Sequence, residues 1–360
     1  MNHPLTSKLY LPLILMSILG FGIMFHPFTL NKNIGVNAYL TIVFGFLLAV
    51  LGLLAIRALL GKYPGESLID WGNRLLGRAG WLGSGLVLAI VLVFTVLAVR
   101  RLTEPIGTSI LFLTPEWANI LSCVLVITYI AQLGEEALGR LCSICCGLIP
   151  VFGLNLLLGF GSVTLAQVHP AYIIRDLRYL NYWWAGLPGF VPVLLIASLI
   201  RTRDFRDRFR YVLPTVGLGA LILGITAFEI VGVFGAGGIQ RYPRPVMAFM
   251  GTIRLAQEYF FQNFVLTTHL FVFTAQSLVI ATVLLRVLAN GIIALCRIPR
   301  KRSRWVIPAL AAVVYLLTLF SDLIVYARYN NPLIISGSFF ILAYLGILWL
   351  LSRLRRDGRP

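Results

Sequence analysis

The sequence predicts an all-α integral membrane protein: about ten transmembrane helices in a five-plus-five inverted-repeat bundle, with helices 1 and 6 broken. Three observations carry this. Hydrophobic residues make up 59% of the 360 and charged residues only 12%, against about 25% charged in a soluble domain. The apolar residues gather into stretches near the ~20 residues that cross a bilayer. The first and sixth stretches are interrupted at matching places, as expected of paired repeats that share a binding site near the midplane.

The spans read as 9–29, 36–60, 81–102, 117–134, 138–162, 185–201, 211–235, 263–286, 305–326 and 333–352. The first run continues past Gly20-Phe21-Gly22 without a small-residue cleavage site, so it reads as a retained span and not a signal peptide. Its interruption is placed at Gly20-Phe21-Gly22, with Pro27 following. Between spans two and three, residues 61–80 put Leu68, Trp71, Leu75 and Leu76 on one face, which predicts an amphipathic segment on the inner membrane surface. After span five, Tyr172, Tyr179, Tyr182, Trp183 and Trp184 read as an interfacial aromatic belt. Span six is interrupted at Gly186-Leu187-Pro188-Gly189, followed by Pro192. After span seven, Tyr242-Pro243-Arg244-Pro245 precedes a surface helix. The chain 1–360 is one membrane domain, with repeats at about 9–162 and 185–352; an odd number of spans per repeat makes them inverted.

The net charge of +17 is not a nucleic-acid footprint, because the charges sit in short loops. With the N-terminus inside, the inner segments hold 20 of the 30 Lys and Arg, the outer ones 9, and Arg286 lies at a helix end, where it is expected to snorkel to the inner surface. That bias supports ten spans with both termini cytoplasmic. The cysteines are Cys123, Cys142, Cys145, Cys146 and Cys296. The Cys142-x-x-Cys145-Cys146 cluster has no second ligand pair at zinc spacing, so it reads as small buried side chains. His3, His26, His169 and His269 make no metal or triad spacing, and Gly235-Ala-Gly-Gly238 lacks the Lys-Ser/Thr of a phosphate loop. No enzyme, cofactor or metal site is expected.

The candidate residues follow from the breaks. Unwinding at Gly20, Phe21, Gly22 and Ile23, and at Gly186, Pro188, Gly189 and Phe190, offers backbone groups to the charged ends of a small ligand. The competing reading of each glycine is close helix packing. Span eight is polar, with Thr267, Thr268, His269, Thr274, Gln276 and Ser277. His269 and Gln276 are seven apart, two turns along one face, and either line a cavity or bond to neighbouring helices. Thr95 is a similar candidate in span three. Glu229 in span seven and Asp322 in span nine are intramembrane acids, of which Glu229 is the better ion or proton site.

Five stretches resemble the B-subunit family of spore germination receptors, permease-like proteins of the amino acid–polyamine–organocation superfamily. They are Ile18-Leu19-Gly20-Phe21-Gly22-Ile23; Tyr63-Pro64-Gly65-Glu66-Ser67-Leu68 running to Leu75-Leu76-Gly77; Leu113-Thr114-Pro115-Glu116-Trp117; Tyr129-Ile130-Ala131 with Leu133-Gly134 and Leu138-Gly139-Arg140-Leu141; and Arg241-Tyr242-Pro243. The chain departs from the family in lacking an acid within span six and a Trp in span eight. The resemblance implies a leucine-transporter-type fold and a germinant-binding subunit, the germinant often an amino acid. It implies partners, a receptor A subunit and a lipoprotein C subunit, in the spore inner membrane. A working amino-acid permease driven by a proton or sodium gradient shares the same fold.

Overall fold

The computed structural model describes residues 7–25, 37–168, 183–199, 205–239, 241, 245–250, 259–321 and 323–355. Expectations placed on Pro27, on Tyr172, Tyr179 and Tyr182, on Tyr242-Pro243-Arg244, on residues 251–258 and on Asp322 lie outside those residues. The described residues form helices and turns without a strand. In chain order they are α1 (Ser7–Met24), α2 (Ala38–Lys62), α3 (Leu68–Leu76), α4 (Arg78–Pro105), α5 (Glu116–Leu133), α6 (Glu135–Cys146) and α7 (Ile149–Gly159). A 3₁₀ stretch, Trp184–Phe190, then leads into α8 (Val191–Leu199). After it come α9 (Phe205–Ile239), α10 (Pro245–Met250), α11 (Tyr259–Leu295), α12 (Arg300–Ser303), α13 (Val306–Phe320) and α14 (Leu323–Leu354).

Among the described residues, eight helical stretches are long and apolar enough to cross a bilayer, and two shorter apolar ones, Lys8–Met24 and Trp184–Leu199, occupy the positions of spans one and six. These two form the centre of the bundle. Every residue of α1 from Leu13 onward is buried, as is every residue of α8. A helix that is apolar all round belongs in such an interior. The surrounding helices turn leucines outward, among them Leu47 and Leu51 of α2, Leu125 of α5 and Leu316 of α13. Apolar side chains on that perimeter match the hydrocarbon they meet.

Span six is broken as expected. Pro188 has no N–H to donate, and the seven residues Trp184–Phe190 wind as a 3₁₀ helix, longer than the usual three or four. Pro192 falls in the first turn of α8, where a missing N–H is tolerated. Span one differs. α1 stays helical through Gly20, Phe21 and Gly22 and ends at Met24. Its glycines serve packing, as described below. Span five runs as one stretch, Glu135–Ser162, with a local interruption: α6 ends at Cys146 and α7 starts at Ile149, with Pro150 next. Pro150 cannot donate to the Cys146 carbonyl, so the ladder ends there.

The segment expected on the membrane surface packs its apolar face on protein. Leu68, Ile69, Trp71 and Leu75 of α3 are buried against α4, α14 and α11. Ser67 and Asp70 close a capping box at its start: Asp70 Oδ2 accepts from the Ser67 backbone N–H at 2.9 Å, and the Ser67 hydroxyl accepts from the Asp70 N–H. Ser67→Ala is expected to destabilise the protein by about 1 kcal/mol, read as a lower melting temperature in detergent, with Ser67→Thr closer to wild type. Nearby, Lys62 Nζ donates to the Ser352 and Arg355 carbonyls at 2.5 and 3.0 Å, capping the end of α14. Arg286 has partners within the protein. It is held at the α5–α6 junction, 3.8 Å from Glu135 and donating to the Ala131 carbonyl at 3.4 Å, while Asn290 donates to Glu135 at 2.9 Å. Of the expected aromatic belt, Trp183 stacks on Phe44 of α2 and Trp184 meets Phe339 of α14 edge-on.

Candidate functional site

The site is built where α1, the 3₁₀ stretch, α4, α9 and α11 meet. Gly20 lets α11 approach so closely that an added Cβ would lie 2.7 Å from the Gln276 carbonyl oxygen. Gly22 does the same for α9: a Cβ there would lie 2.9 Å from Leu223 Cδ2. Gly189 faces the Gly22 Cα, so the two breaks read from sequence do come together, as glycine packed on glycine. Small residues of this kind let membrane helices approach backbone to backbone. Between the glycines, Phe21 is fully buried, its ring centroid 4.5 Å from Phe25 and 5.4 Å from Phe94 of α4. Ile23 is buried in the same layer.

Other candidates point elsewhere. Gly186 packs backbone on backbone against Thr41 and Gly45 of α2, and Phe190 meets Phe46 of α2 at 6.3 Å. Pro188 is buried within the 3₁₀ stretch. Thr95 is fully buried, but its hydroxyl donates to the Val91 carbonyl of its own helix at 2.7 Å. These four shape the scaffold around the site.

The polar residues of α11 are different. Val265, His269, Val272, Gln276 and Ile280 follow the 3–4 spacing of one helix face, and all are buried. That face meets Gly20 at Gln276 and Ile280. Among the described residues, both amide atoms of Gln276, both ring nitrogens of His269 and the Ser277 hydroxyl have no hydrogen-bond partner, and neither do the two carboxyl oxygens of Glu229 on α9. The His269 ring lies 5.7 Å from that of Phe152 on α7. Each unused buried group costs about 1–3 kcal/mol. A native interior holds few of them, and each asks for a role.

Phe25, Phe94, Phe152 and Leu223 were not singled out from sequence. Phe94 adjoins Thr95 and its aromatic bulk was a usable signal; Leu223 is one leucine among many and carried none. Among the described residues no group of His, Cys, Asp or Glu is placed to hold a metal ion. Cys142 and Cys145 are buried, and the Cys146 thiol lies 3.9 Å from the Pro12 carbonyl.

A helical bundle centred on a buried first helix and a broken sixth is the architecture of leucine-transporter-type permeases. The solved structure of MhsT in complex with L-phenylalanine shares it, with a TM-score of 0.68 over 98% of this chain and 90% of that one, at 17% identity. The chain belongs to the spore germination protein family of spore permeases, whose sequence profile matches residues 5–324. It is also similar to the spore germination protein YndE of Bacillus subtilis (strain 168), 20% identical over 262 residues that make up 69% of this chain and 70% of that protein. It is thus a multi-pass membrane protein of permease type.

Proposed function

We propose that this chain is the nutrient-sensing membrane subunit of a germinant receptor. It binds a small nutrient, an amino acid, against α1, the 3₁₀ stretch, α4 and α11. Phe21 and Phe94 give the apolar wall, and Gln276 and His269 the polar contacts. The observation that carries this is Gln276: a fully buried amide with no partner, on the helix face that touches Gly20, in a chain of the spore germination family. Binding favours one packing of the bundle and passes that bias to the receptor A subunit and the lipoprotein C subunit. The inverted repeats at 9–162 and 185–352, with both termini cytoplasmic in the spore inner membrane, complete the reading.

Deleting the gene in its native host and following loss of spore refractility with amino acids, sugars and nucleosides tests the role. Selective loss of one response supports it. Unchanged germination with reduced amino-acid uptake by growing cells supports the second reading, a permease driven by a proton or sodium gradient, which the likeness to MhsT and the buried Glu229 favour. Gln276→Leu separates site from scaffold. Removing an unpaired buried amide should leave the melting temperature equal or higher, while the nutrient response falls at least tenfold. A normal response would remove Gln276 from the site.

A further inference from the structure

The connection between α11 and α13 concentrates positive charge. Residues 297–304 include Arg297, Arg300, Lys301, Arg302 and Arg304, and no Asp or Glu occurs anywhere in residues 259–321. Arg297, Lys301, Arg302 and Arg304 are exposed, and none of these four forms an ion pair among the described residues. The acids on the helices packed against α11 and α13 are already matched: Glu104 by Arg101, Glu116 by Arg100, Glu135 by Arg286, Glu136 by Arg140, and Asp70 within the capping box of α3. The counter-charge for this loop is left to an anionic partner.

A loop that only sets orientation in a bilayer needs charge but no particular backbone. This one has a particular backbone. At the end of α11 the Cys296 N–H donates to the Ile292 carbonyl at 2.9 Å, and the Ile298 N–H reaches back to the Ile293 carbonyl at 3.1 Å. That closure puts Arg297 at φ 51°, the one non-glycine residue with positive φ among the described residues. Glycine is the usual occupant of such a position, because a Cβ is strained there. Keeping an arginine weakens the helix end and fixes a charge at the start of the basic run. Strain of this kind gathers at functional sites.

The place of the loop in the fold identifies the anion. α11 and α13 are both long and apolar enough to cross a bilayer, and the loop joins their ends directly. α13 is the least enclosed of the described spans and turns Val313, Leu316, Leu317 and Phe320 outward. At its start Trp305 is 64% exposed, with the Arg304 guanidinium 5.6 Å above its ring. An exposed Trp at the end of a membrane helix marks the headgroup level. The charges thus lie on the lipid-facing rim of the bundle, level with lipid phosphates, whose paired oxygens suit a guanidinium. Clusters of this size beside a membrane helix attract anionic lipid. We propose that residues 297–305 form a binding site for the headgroup of an anionic phospholipid. The site is independent of the nutrient-site reading.

The test titrates the full-length protein in detergent with dioleoyl-phosphatidylglycerol and resolves each lipid adduct by native mass spectrometry. Wild type should take up a first lipid saturably, and phosphatidylcholine with the same chains roughly tenfold more weakly or worse. The variant Lys301→Gln/Arg302→Gln/Arg304→Gln should raise the dissociation constant of the first phosphatidylglycerol by roughly tenfold or more. The control Arg78→Gln/Arg140→Gln/Arg353→Gln removes as much charge from exposed positions on α4, α6 and α14, and should change that constant by about twofold at most. Arg297→Gly separates ligand from scaffold. It should hold or raise the melting temperature, since glycine suits the turn, while weakening the lipid about fivefold. Absence of saturable uptake, an equal loss in the control, or an unchanged constant in either loop variant overturns the proposal. Displacement of the lipid by an equal concentration of free glycerophosphoglycerol would make this a soluble-phosphate site and overturn it too. Binding of a polyglutamate peptide without binding of phosphatidylglycerol would assign the loop to an acidic protein, with the same consequence.

Discussion

Gly186→Val is expected to abolish accumulation of folded protein in the membrane. The 3₁₀ stretch crosses α2 with backbone against backbone. A Cβ on Gly186 would lie 2.9 Å from the Ile42 nitrogen and closer still to the Thr41 carbonyl, and a Cβ on Gly45 would lie 2.7 Å from the Leu187 nitrogen. Neither obstacle is a side chain that can swing away. Overpacking a core against movable neighbours costs about 1–3 kcal/mol; here two central elements must separate, and the loss should exceed that range. The same contact predicts that Gly186→Ala and Gly45→Ala each fail in large part, and that combining them rescues neither. Gly217→Ala on α9 is the control, since nothing lies within 4 Å of the Cβ it adds; it should gain a few tenths of a kcal/mol or more, because alanine has less helix-forming entropy to lose. The measurement is the monodisperse peak of a fluorescent fusion by size-exclusion chromatography. Full yield of Gly186→Val would sink the crossing of α2 and the 3₁₀ stretch.

The architecture was legible because the bilayer imposes it. Span length is set by hydrocarbon thickness and is written in composition. The break in span six was legible because Pro188 lacks a donor wherever it sits. The reading of span one misplaced its break because glycine carries two opposite meanings. Gly20 and Gly22 permit unwinding, but they also permit close approach, and only the partner decides. The partners are the Gln276 carbonyl, 256 positions along the chain, and Leu223, for which no local pattern exists. Trp71 shows a related ambiguity. An apolar helix face looks the same whether lipid or protein covers it, so α3 read as a surface helix although its face is buried against α4 and α14. The site was half legible. The seven-residue spacing of His269 and Gln276 gave a shared face. That both are left without hydrogen-bond partners depends on which helices surround them, and the sequence does not state that.

The contact between Gly22 and Leu223 yields the sharpest functional expectation, because its obstacle is a side chain. Gly22→Ala places a methyl 2.9 Å from Leu223 Cδ2, beside the Cα of Gly189. Accommodating it pushes α9 from α1 in the layer where Phe21 packs on Phe94. A cost of about 1–3 kcal/mol carried by the ligand-binding arrangement corresponds to roughly a 5- to 150-fold loss of nutrient sensitivity. Leu223→Ala removes the atoms in the way. The double variant should therefore recover most of the sensitivity lost by Gly22→Ala, a coupling that a double-mutant cycle reads directly. Gly20→Ala should show the opposite behaviour. Its obstacle is the Gln276 main-chain carbonyl, and no truncation on α11 removes that, so Ile280→Ala should not restore the response. Both single glycine variants should still reach the membrane in measurable amounts, since each adds one methyl group and leaves the scaffold contact at Gly186 intact. Rescue of Gly22→Ala but not of Gly20→Ala would establish that these glycines act by close helix approach. If Leu223→Ala fails to rescue, while Gly22→Ala is folded and unresponsive, the Gly22 backbone itself must meet the ligand, and the unwound reading of span one would return.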